Sequence, residues 1–187
     1  MNVDGKTRHK YTLGFIYCEE TRQVLLLNRN KLPWMGKWNG VGGKLDQEET
    51  VYQCIIRETE EETGLLLPQY EARGVLLWEV THGAKNSNDD NANSKTEIGG
   101  LYLFTANISK IELESYTTPK SFPEGILHWK SLDWMLDEDN LGIVDNIKLL
   151  FKNDTILKAN KTDLFTVKYH NFHLNEFIHS KVDYYPE

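Results

Sequence analysis

The segment 50–62 constrains the fold of this chain most strongly, because it fits a single amphipathic helix. At about 100° per residue its apolar side chains form one stripe: Val51, Cys54 and Ile55. Thr50 and Gln53 have the spacing of a capping box, and Gly64 stands where a glycine often ends a helix. The pattern predicts a helix over 50–62 that packs its apolar stripe against a core.

Acidic side chains continue the same stripe. Its next positions are Glu58, Glu61 and Glu62, which the i, i+3 and i+4 spacing brings side by side. Adjacent carboxylates repel one another, and negative charge is unfavourable near the C-terminal end of a helix. One interpretation is a solvated helix face, where most runs of glutamate lie. The other is a bound divalent cation, for which an all-oxygen ligand set favours Mg²⁺ or Mn²⁺.

The residues on either side of the helix favour the cation site. Five residues separate Gly43 from Glu49, seven separate Glu49 from Arg57, and Glu58-Thr59-Glu60-Glu61-Glu62-Thr63-Gly64-Leu65 follows. This arrangement resembles the Nudix box, G-x5-E-x7-R-E-U-x-E-E-x-G-U, in which U is a bulky apolar residue. Thr59 departs from the pattern, and we expect that departure to affect packing more than chemistry.

The resemblance implies a Nudix-type α/β/α sandwich with a mixed β-sheet, an α/β (α+β) fold, and the remaining sequence agrees with it. Alternating and apolar runs predict strands over 10–18, 23–29, 70–80, 98–108 and 126–129. A helical stretch is predicted from about 132 to 151, followed by a hairpin in which 155–158 faces 164–169. The polar segment 82–97 is predicted to be a mobile surface loop. We expect residues 1–187 to form one Nudix domain.

The resemblance also implies a chemistry. Nudix enzymes hydrolyse a nucleoside diphosphate linked to another group, with water attacking phosphorus. The implied metal ligands are the backbone carbonyl of Gly42 and the carboxylates of Glu58, Glu61 and Glu62, with Glu49 as an outer or occasional ligand. Glu58 would also deprotonate or orient the water, Arg57 would orient Glu58, and Lys44 would meet a phosphate.

A further metal ligand often comes from outside the box in this family. Glu124, just before the short strand at 126–129, matches that position, although a plain turn acid is the alternative. Glu79, Glu97 and Glu112 are rival candidates.

The residues before the box indicate a substrate class. The segment from Gly36 to Lys44 is similar to MutT-type and 8-oxo-dGTP diphosphatase members, in which the asparagine contacts a purine base. Asn39 is therefore a candidate for base recognition, with a turn-forming role as the alternative. Asp145, or the adjacent Asn146, is a candidate for reading the base edge. Trp34, Trp38 and Trp129 are candidates for stacking on a base, or else belong to the core.

The predicted activity is hydrolysis of a nucleoside triphosphate to the monophosphate and pyrophosphate, with 8-oxo-dGTP or a related oxidised purine as substrate. Subfamilies that act on ADP-ribose or dinucleoside polyphosphates carry a characteristic Pro or Tyr downstream of the box. In this chain Val80, Thr81 and His82 stand there instead. The open alternatives are another nucleoside diphosphate derivative, such as ADP-ribose or a nucleotide sugar, and a non-catalytic nucleotide-sensing module.

Composition limits the partners. With 21 Lys and Arg against 28 Asp and Glu, the formal charge is −7, which disfavours binding to nucleic acid polymers. Two cysteines among apolar neighbours and an N-terminus without an apolar core predict a cytoplasmic protein. No apolar run approaches the roughly 20 residues of a membrane span. The expected partner is a small-molecule nucleotide, and a homodimer is left open.

Overall fold

Two apolar segments near the start of the chain pair as the predicted hairpin. In the computed structural model, which describes residues 9–82, 95–171 and 173–182, strand β1 spans Thr12–Cys18 and β2 spans Gln23–Arg29. The two strands are antiparallel, with Ile16 opposite Leu25. Every residue of β1 is buried, so both faces of the sheet are covered at this strand.

Nine strands of the described chain form one mixed sheet. The other seven are β3 (Trp38–Asn39), β4 (Glu71–His82), β5 (Lys95–Asn107), β6 (Lys120–Phe122), β7 (Gly125–Ser131), β8 (Asp163–His170) and β9 (His173–Lys181). The strand order is β6-β7-β2-β1-β5-β4-β8-β9, with β3 paired to β2. β1 runs parallel to β5, and β4 runs parallel to β8.

Helices cover the two faces of this sheet. They are α1 (Val51–Thr63), α2 (Lys110–Ser115), α3 (Leu132–Leu136), α4 (Asp145–Phe151) and α5 (Thr155–Lys158). One core contains Ile55 of α1, whereas another contains Phe15 together with side chains of α3, α4 and α5. Successive residues of a strand point to opposite faces, and Gly14, next to Phe15, faces Ile55. The predicted α/β/α sandwich with a mixed sheet is confirmed.

Helix α1 begins and ends as predicted. The Thr50 side chain accepts from the backbone of Gln53, the Gln53 side chain accepts from the backbone of Thr50, and Gly64 adopts the left-handed conformation with φ 74°. A Cβ atom on Gly14 would lie 2.8 Å from Ile55, so α1 packs closely on β1. This close packing fixes the position of the helix that carries the acidic side chains.

The predicted helix over 132–151 is wrong in its continuity, because the chain turns between α3 and α4. The turn is held by Asn140, whose Oδ1 accepts from the backbone N–H of Gly142 at 3.0 Å. The backbone N–H of Trp38 also donates to the carbonyl of Gly142 at 2.8 Å. The turn therefore joins β3 to the start of α4, a long-range contact that helical periodicity does not reveal.

The predicted hairpin is also wrong in its first strand. Residues 155–158 form α5, in which Ile156 is buried in the same core as side chains of α3 and α4. The hairpin consists instead of β8 and β9, paired from Asp163–Lys181 to His170–His173. Strand β9 is largely exposed and polar, so it lacks the apolar alternation that identifies a strand in sequence.

The predicted polar loop over 82–97 is shorter than expected at both ends. β4 extends to His82 and β5 begins at Lys95, with Val80 opposite Glu97. Residues 83–94 lie outside the described residues. The short elements β3, α2 and β6 were not predicted, because two to six residues carry no measurable period. Among the described helices, none has the length and apolar character needed to cross a membrane.

Candidate functional site

The acidic side chains of α1 differ sharply in exposure. Glu62 is 6% exposed, and the side chain of Glu58 is 15% exposed, whereas that of Glu61 is 60% exposed. Glu62 is therefore buried, Glu58 is half-buried and Glu61 is exposed. Two carboxylates thus lie where water screens them poorly.

Two glycines of the loop before α1 make room for these carboxylates. The backbone N–H of Gly42 donates to Oε2 of Glu62 at 2.8 Å. Gly42 has φ 139°, and a Cβ atom on it would collide with the backbone carbonyl of Thr12. A Cβ atom on Gly43 would collide with the carboxylate of Glu58. Position 42 therefore requires glycine for its conformation and its close approach, whereas a side chain at position 43 would displace the carboxylate of Glu58.

Arg57 connects the acidic residues of the box. Its guanidinium donates to both carboxylate oxygens of Glu49 at 2.9 and 3.0 Å. It also donates to Glu58 at 2.9 Å and to Glu61 at 3.3 Å. The hydrogen bond from Arg57 lowers the pKa of Glu49, and the same contacts raise the pKa of Arg57. Arg57 therefore remains charged and holds three carboxylates around itself.

Burial makes the negative charges of Glu62 and Glu58 unfavourable. Burial raises the pKa of Glu62 to about 7, against the opposing effect of the N–H of Gly42. Burial also raises the pKa of Glu58, although Arg57 lowers it. The ionised forms of these carboxylates gain the most from an additional cation.

The box and a distant turn together form one cavity of about 320 Å³. Its lining residues are Arg29, Gly42, Gly43, Lys44, Glu58, Glu61, Glu62, Pro123 and Glu124. Glu124 comes from the turn between β6 and β7, and of the four acids considered outside the box it is the one that lines the cavity. The structure therefore brings Glu58, Glu61, Glu62 and Glu124 to the same place.

The donor set fits a hard divalent cation, although its members are turned towards other partners. The four carboxylates offer oxygen atoms, the ligands that Mg²⁺ and Mn²⁺ prefer. In the described part of the chain, no three His, Cys, Asp or Glu side chains already converge as metal ligands. Arg57 engages Glu58 and Glu61, and Lys31 lies 2.6 Å from Glu124, so reorientation within the cavity is needed to share one ion.

The substrate-binding candidates outside the box lie on a second pair of neighbouring segments. The backbone N–H of Val144 donates to the carbonyl of Trp38 at 3.1 Å, and Lys37 Nζ lies 3.7 Å from Asp145 Oδ1. These contacts bring the segment of Asn39 beside the start of α4. The Oδ1 atom of Asn39 accepts from the backbone N–H of Gly40 at 2.9 Å, one residue on rather than the two residues on of an Asx turn. Neither Asn39 nor Asp145 lines the 320 Å³ cavity.

The three tryptophans considered for stacking have different surroundings. Trp129 is buried and donates from Nε1 to the carbonyl of Tyr116 at 3.2 Å, so it belongs to the core. Trp34 and Trp38 are partly buried and pack against the core that contains α4. The Nζ atom of Lys130 lies 4.4 Å from the ring centre of Trp38.

Arg29 is a site residue that the sequence did not reveal. It ends β2 and lines the same cavity as Lys44. Its position depends on the pairing of β2 with β7, in which Arg29 lies opposite Gly125. That pairing places Arg29 next to the turn that carries Glu124. A lone arginine at the end of a strand carries no such signal in the sequence.

Comparison with known sequences identifies the family of this arrangement. A family model described as the NUDIX domain matches residues 7–143, more than half of the chain. An uncharacterised Nudix hydrolase, YvcI of Bacillus subtilis, is 34% identical over 61 residues, 33% of this chain and 37% of that protein. The oxidized purine nucleoside triphosphate hydrolase of Danio rerio is 28% identical over 95 residues, 51% of this chain and 53% of that protein. The matches thus span about half or less of these curated relatives.

Solved structures share the fold. A mutator MutT protein from Bacillus halodurans superposes with a TM-score of 0.65 at 24% identity, covering 91% of this chain and 96% of the other. The NUDIX domain of Shewanella oneidensis NrtR, complexed with ADP-ribose, superposes with a TM-score of 0.52 at 20% identity, covering 79% and 87%. At these identities the likeness establishes the fold alone.

Proposed function

This chain belongs to the Nudix family, and from that premise we propose that it hydrolyses a nucleoside triphosphate to the monophosphate and pyrophosphate. The main observation in support is a single cavity whose lining contains four carboxylates and two cationic side chains: Glu58, Glu61, Glu62, Glu124, Arg29 and Lys44. Carboxylates can bind a cation and accept a proton, and the two cationic side chains can meet phosphate oxygens. A polyphosphate with its metal ion needs this combination of charges.

Mg²⁺, or Mn²⁺ in its place, is the proposed cofactor. The residues to hold it are Glu58, Glu61, Glu62, Glu124 and the backbone carbonyl of Gly42. When bound, such an ion lowers the pKa of water and offsets the charge of the phosphates. Its charge would also favour the ionised forms of Glu58 and Glu62, which burial disfavours.

The side chains of this chain have separate proposed tasks. Glu58 accepts the proton of the water that attacks phosphorus, while the P–O bond that bridges the α- and β-phosphates breaks. Arg57 orients Glu58 through the 2.9 Å hydrogen bond and is itself fixed by Glu49. Lys44 and Arg29 bind phosphate oxygens. A contact or a position on the cavity wall supports each proposed task.

For the base, we propose an oxidised purine, with 8-oxo-dGTP as the leading substrate. Similarity to the oxidized purine nucleoside triphosphate hydrolase of Danio rerio supports this choice. Support also comes from the proximity of the segments of Asn39 and Asp145, the two candidates for base recognition. ADP-ribose is the second candidate, because a NUDIX domain of similar fold is solved with that ligand.

The test is phosphate-product release with Mg²⁺ over a substrate panel. The panel contains 8-oxo-dGTP, the four ordinary dNTPs, ADP-ribose, a nucleotide sugar and a dinucleoside polyphosphate. We expect the highest kcat/KM for 8-oxo-dGTP, with pyrophosphate as product. A preference for ADP-ribose would keep the hydrolase and replace the substrate. Tight binding of a nucleotide with no turnover of any compound would make the chain a sensing module instead.

A further inference from the structure

A lysine outside the Nudix box forms an ion pair with one of the carboxylates that line the cavity. Lys31, in the segment between β2 and β3, places Nζ 2.6 Å from Oε1 of Glu124. The side chain of Lys31 is 58% exposed and that of Glu124 is 34% exposed. This ion pair therefore lies at the rim of the cavity, where water can reach it.

The two segments that carry this pair are joined independently of it. The backbone N–H of Asn30 donates to the carbonyl of Glu124 at 3.0 Å. The Nδ2 atom of Asn30 donates to the carbonyl of Pro123 at 2.6 Å. Because these bonds do not involve the ammonium of Lys31, that side chain can leave Glu124 while the segments stay in contact.

We propose that Lys31 is a positioning residue, which holds Glu124 in the metal-free protein and releases it to the divalent cation. The inference rests on the proposed function, because it takes Glu124 as a metal ligand. Arg57 contacts Glu58 and Glu61, but Glu49 fixes Arg57 at the same time. Lys31 is more exposed and lies on a connecting segment, so its contact is the easier one to exchange.

The exchange has a measurable thermodynamic consequence. If the ammonium of Lys31 and the cation compete for Glu124, removing the ammonium strengthens cation binding. Ion pairs of this exposure contribute little, so we expect K31M to lower the dissociation constant of Mn²⁺ by about two- to fivefold. A lysine that merely braced Glu124 in a productive position would give the opposite sign.

The experiment measures Mn²⁺ binding by electron paramagnetic resonance, without substrate, on the wild type, K31M, E124Q and the double variant. The decrease expected for K31M should vanish in the E124Q background, because no carboxylate is left to compete for. K31R should bind as the wild type does. K168M is the matched control, since Lys168 forms a 2.6 Å ion pair with Glu176 on the β8–β9 hairpin. It should leave the dissociation constant unchanged.

The outcomes distinguish a failure of this inference from a failure of the proposed function. An unchanged or raised dissociation constant in K31M overturns the inference, as does an equal decrease in the E124Q background. Both results leave a metal-dependent hydrolase intact. Wild-type protein that binds no Mn²⁺ overturns the proposed function and the inference together.

Discussion

The carboxylate of Glu58, the proposed proton acceptor, is held in place by its neighbours. Arg57 donates to its Oε1 atom, Gly43 leaves the space that it occupies, and burial raises its pKa. These contacts orient the group while leaving it on the cavity wall. A glutamine at this position keeps the size and the acceptor for Arg57 but cannot take a proton.

We therefore expect E58Q to lower kcat by about 10²- to 10⁴-fold, the usual contribution of a general base, without unfolding the protein. Glu60, an exposed residue of the same helix, provides the matched control, and E60Q should retain kcat within about threefold. Pyrophosphate release measures the rate, and thermal melting followed by circular dichroism measures folding. Near-normal turnover by E58Q would show that another group takes the proton.

Asn39 allows a test of base recognition against turn formation. Its hydrogen bond to Gly40 is compatible with either role. A lost hydrogen bond to a substrate base typically costs about 1–3 kcal/mol, so we expect N39A to lower kcat/KM for 8-oxo-dGTP by about tenfold and for dCTP by much less. Steady-state kinetics with both substrates give the ratio. Equal losses for the two substrates would assign Asn39 to the turn.

At the scale of elements, the prediction from sequence succeeded where short-range signals decide the structure. The capping residues located α1, and the apolar runs located β1, β2, β4, β5 and β7 to within a few residues. α5 and β9 were missed for a different reason. Burial of Ile156 against another helix and pairing of a polar edge strand both depend on contacts between distant segments. Local periodicity contains no trace of those contacts.

The departure of Thr59 from the Nudix pattern is explained by a contact between α1 and Tyr70, the residue before β4. The hydroxyl of Thr59 lies 2.7 Å from that of Tyr70, and both residues are buried. An aliphatic residue at 59 would leave the hydroxyl of Tyr70 without this partner. Burial also raises the pKa of Tyr70 to about 12, so its neutral hydroxyl has to be satisfied there.

We expect T59V to lower the free energy of unfolding by about 1–3 kcal/mol, because it leaves a buried polar group unpaired. In the double variant T59V/Y70F, both polar partners are gone, and stability should return to within about 1 kcal/mol of the wild type. Urea denaturation of the wild type, both single variants and the double variant completes the cycle. Additive losses would mean that the two hydroxyls act independently.

The β8–β9 hairpin is fastened by a buried acid. Asp163 is 1% exposed, and its carboxylate lies 2.6 Å from Nε2 of His179 and 3.2 Å from Nζ of Lys181. The backbone N–H of Asn160 also donates to it at 2.8 Å. Burial alone would raise the pKa of Asp163, but these three donors hold it below its ordinary value.

A carboxylate with a lowered pKa stabilises the fold above its unfolded pKa and loses that contribution as the pH falls through the folded pKa. We expect D163N to lower the free energy of unfolding by about 1.5–3 kcal/mol at pH 7, with the deficit shrinking below about pH 4. Glu176, in the exposed pair with Lys168, is the control, and E176Q should cost under about 1 kcal/mol. A deficit independent of pH would contradict the assignment to charge.

At the scale of the whole molecule, the cavity joins parts of the chain that lie far apart in sequence. The box supplied a strong local prediction, and Glu124 was placed beside it by position relative to a strand. Arg29 and Lys31 were missed, because their place depends on the pairing of β2 with β7 and on the contacts of Asn30. The single domain over 1–187, the cytoplasmic location and the homodimer stay predictions.

The charge of the molecule leads to a prediction about metal removal. With a formal charge of −7 and four acids around one cavity, the folded chain concentrates like charge where the unfolded chain does not. A cation that binds only the folded state, at a concentration about 100 times its dissociation constant, stabilises that state by about 2.7 kcal/mol. For a chain of this size that corresponds to a rise in Tm of about 5–10 °C. Mg²⁺ should raise Tm by this amount, and EDTA should reverse the rise.

Variants assign that rise to the cavity. E58Q/E62Q should be at least as stable as the wild type in EDTA, because two poorly hydrated charges are removed, and should gain little from Mg²⁺. E60Q should keep the full rise. Differential scanning fluorimetry over a Mg²⁺ titration, at constant ionic strength, measures all three proteins. If Mg²⁺ binds in the cavity, the rise in Tm depends on these two side chains. An equal rise in Tm for E58Q/E62Q would therefore place the stabilising ion elsewhere on the acidic surface.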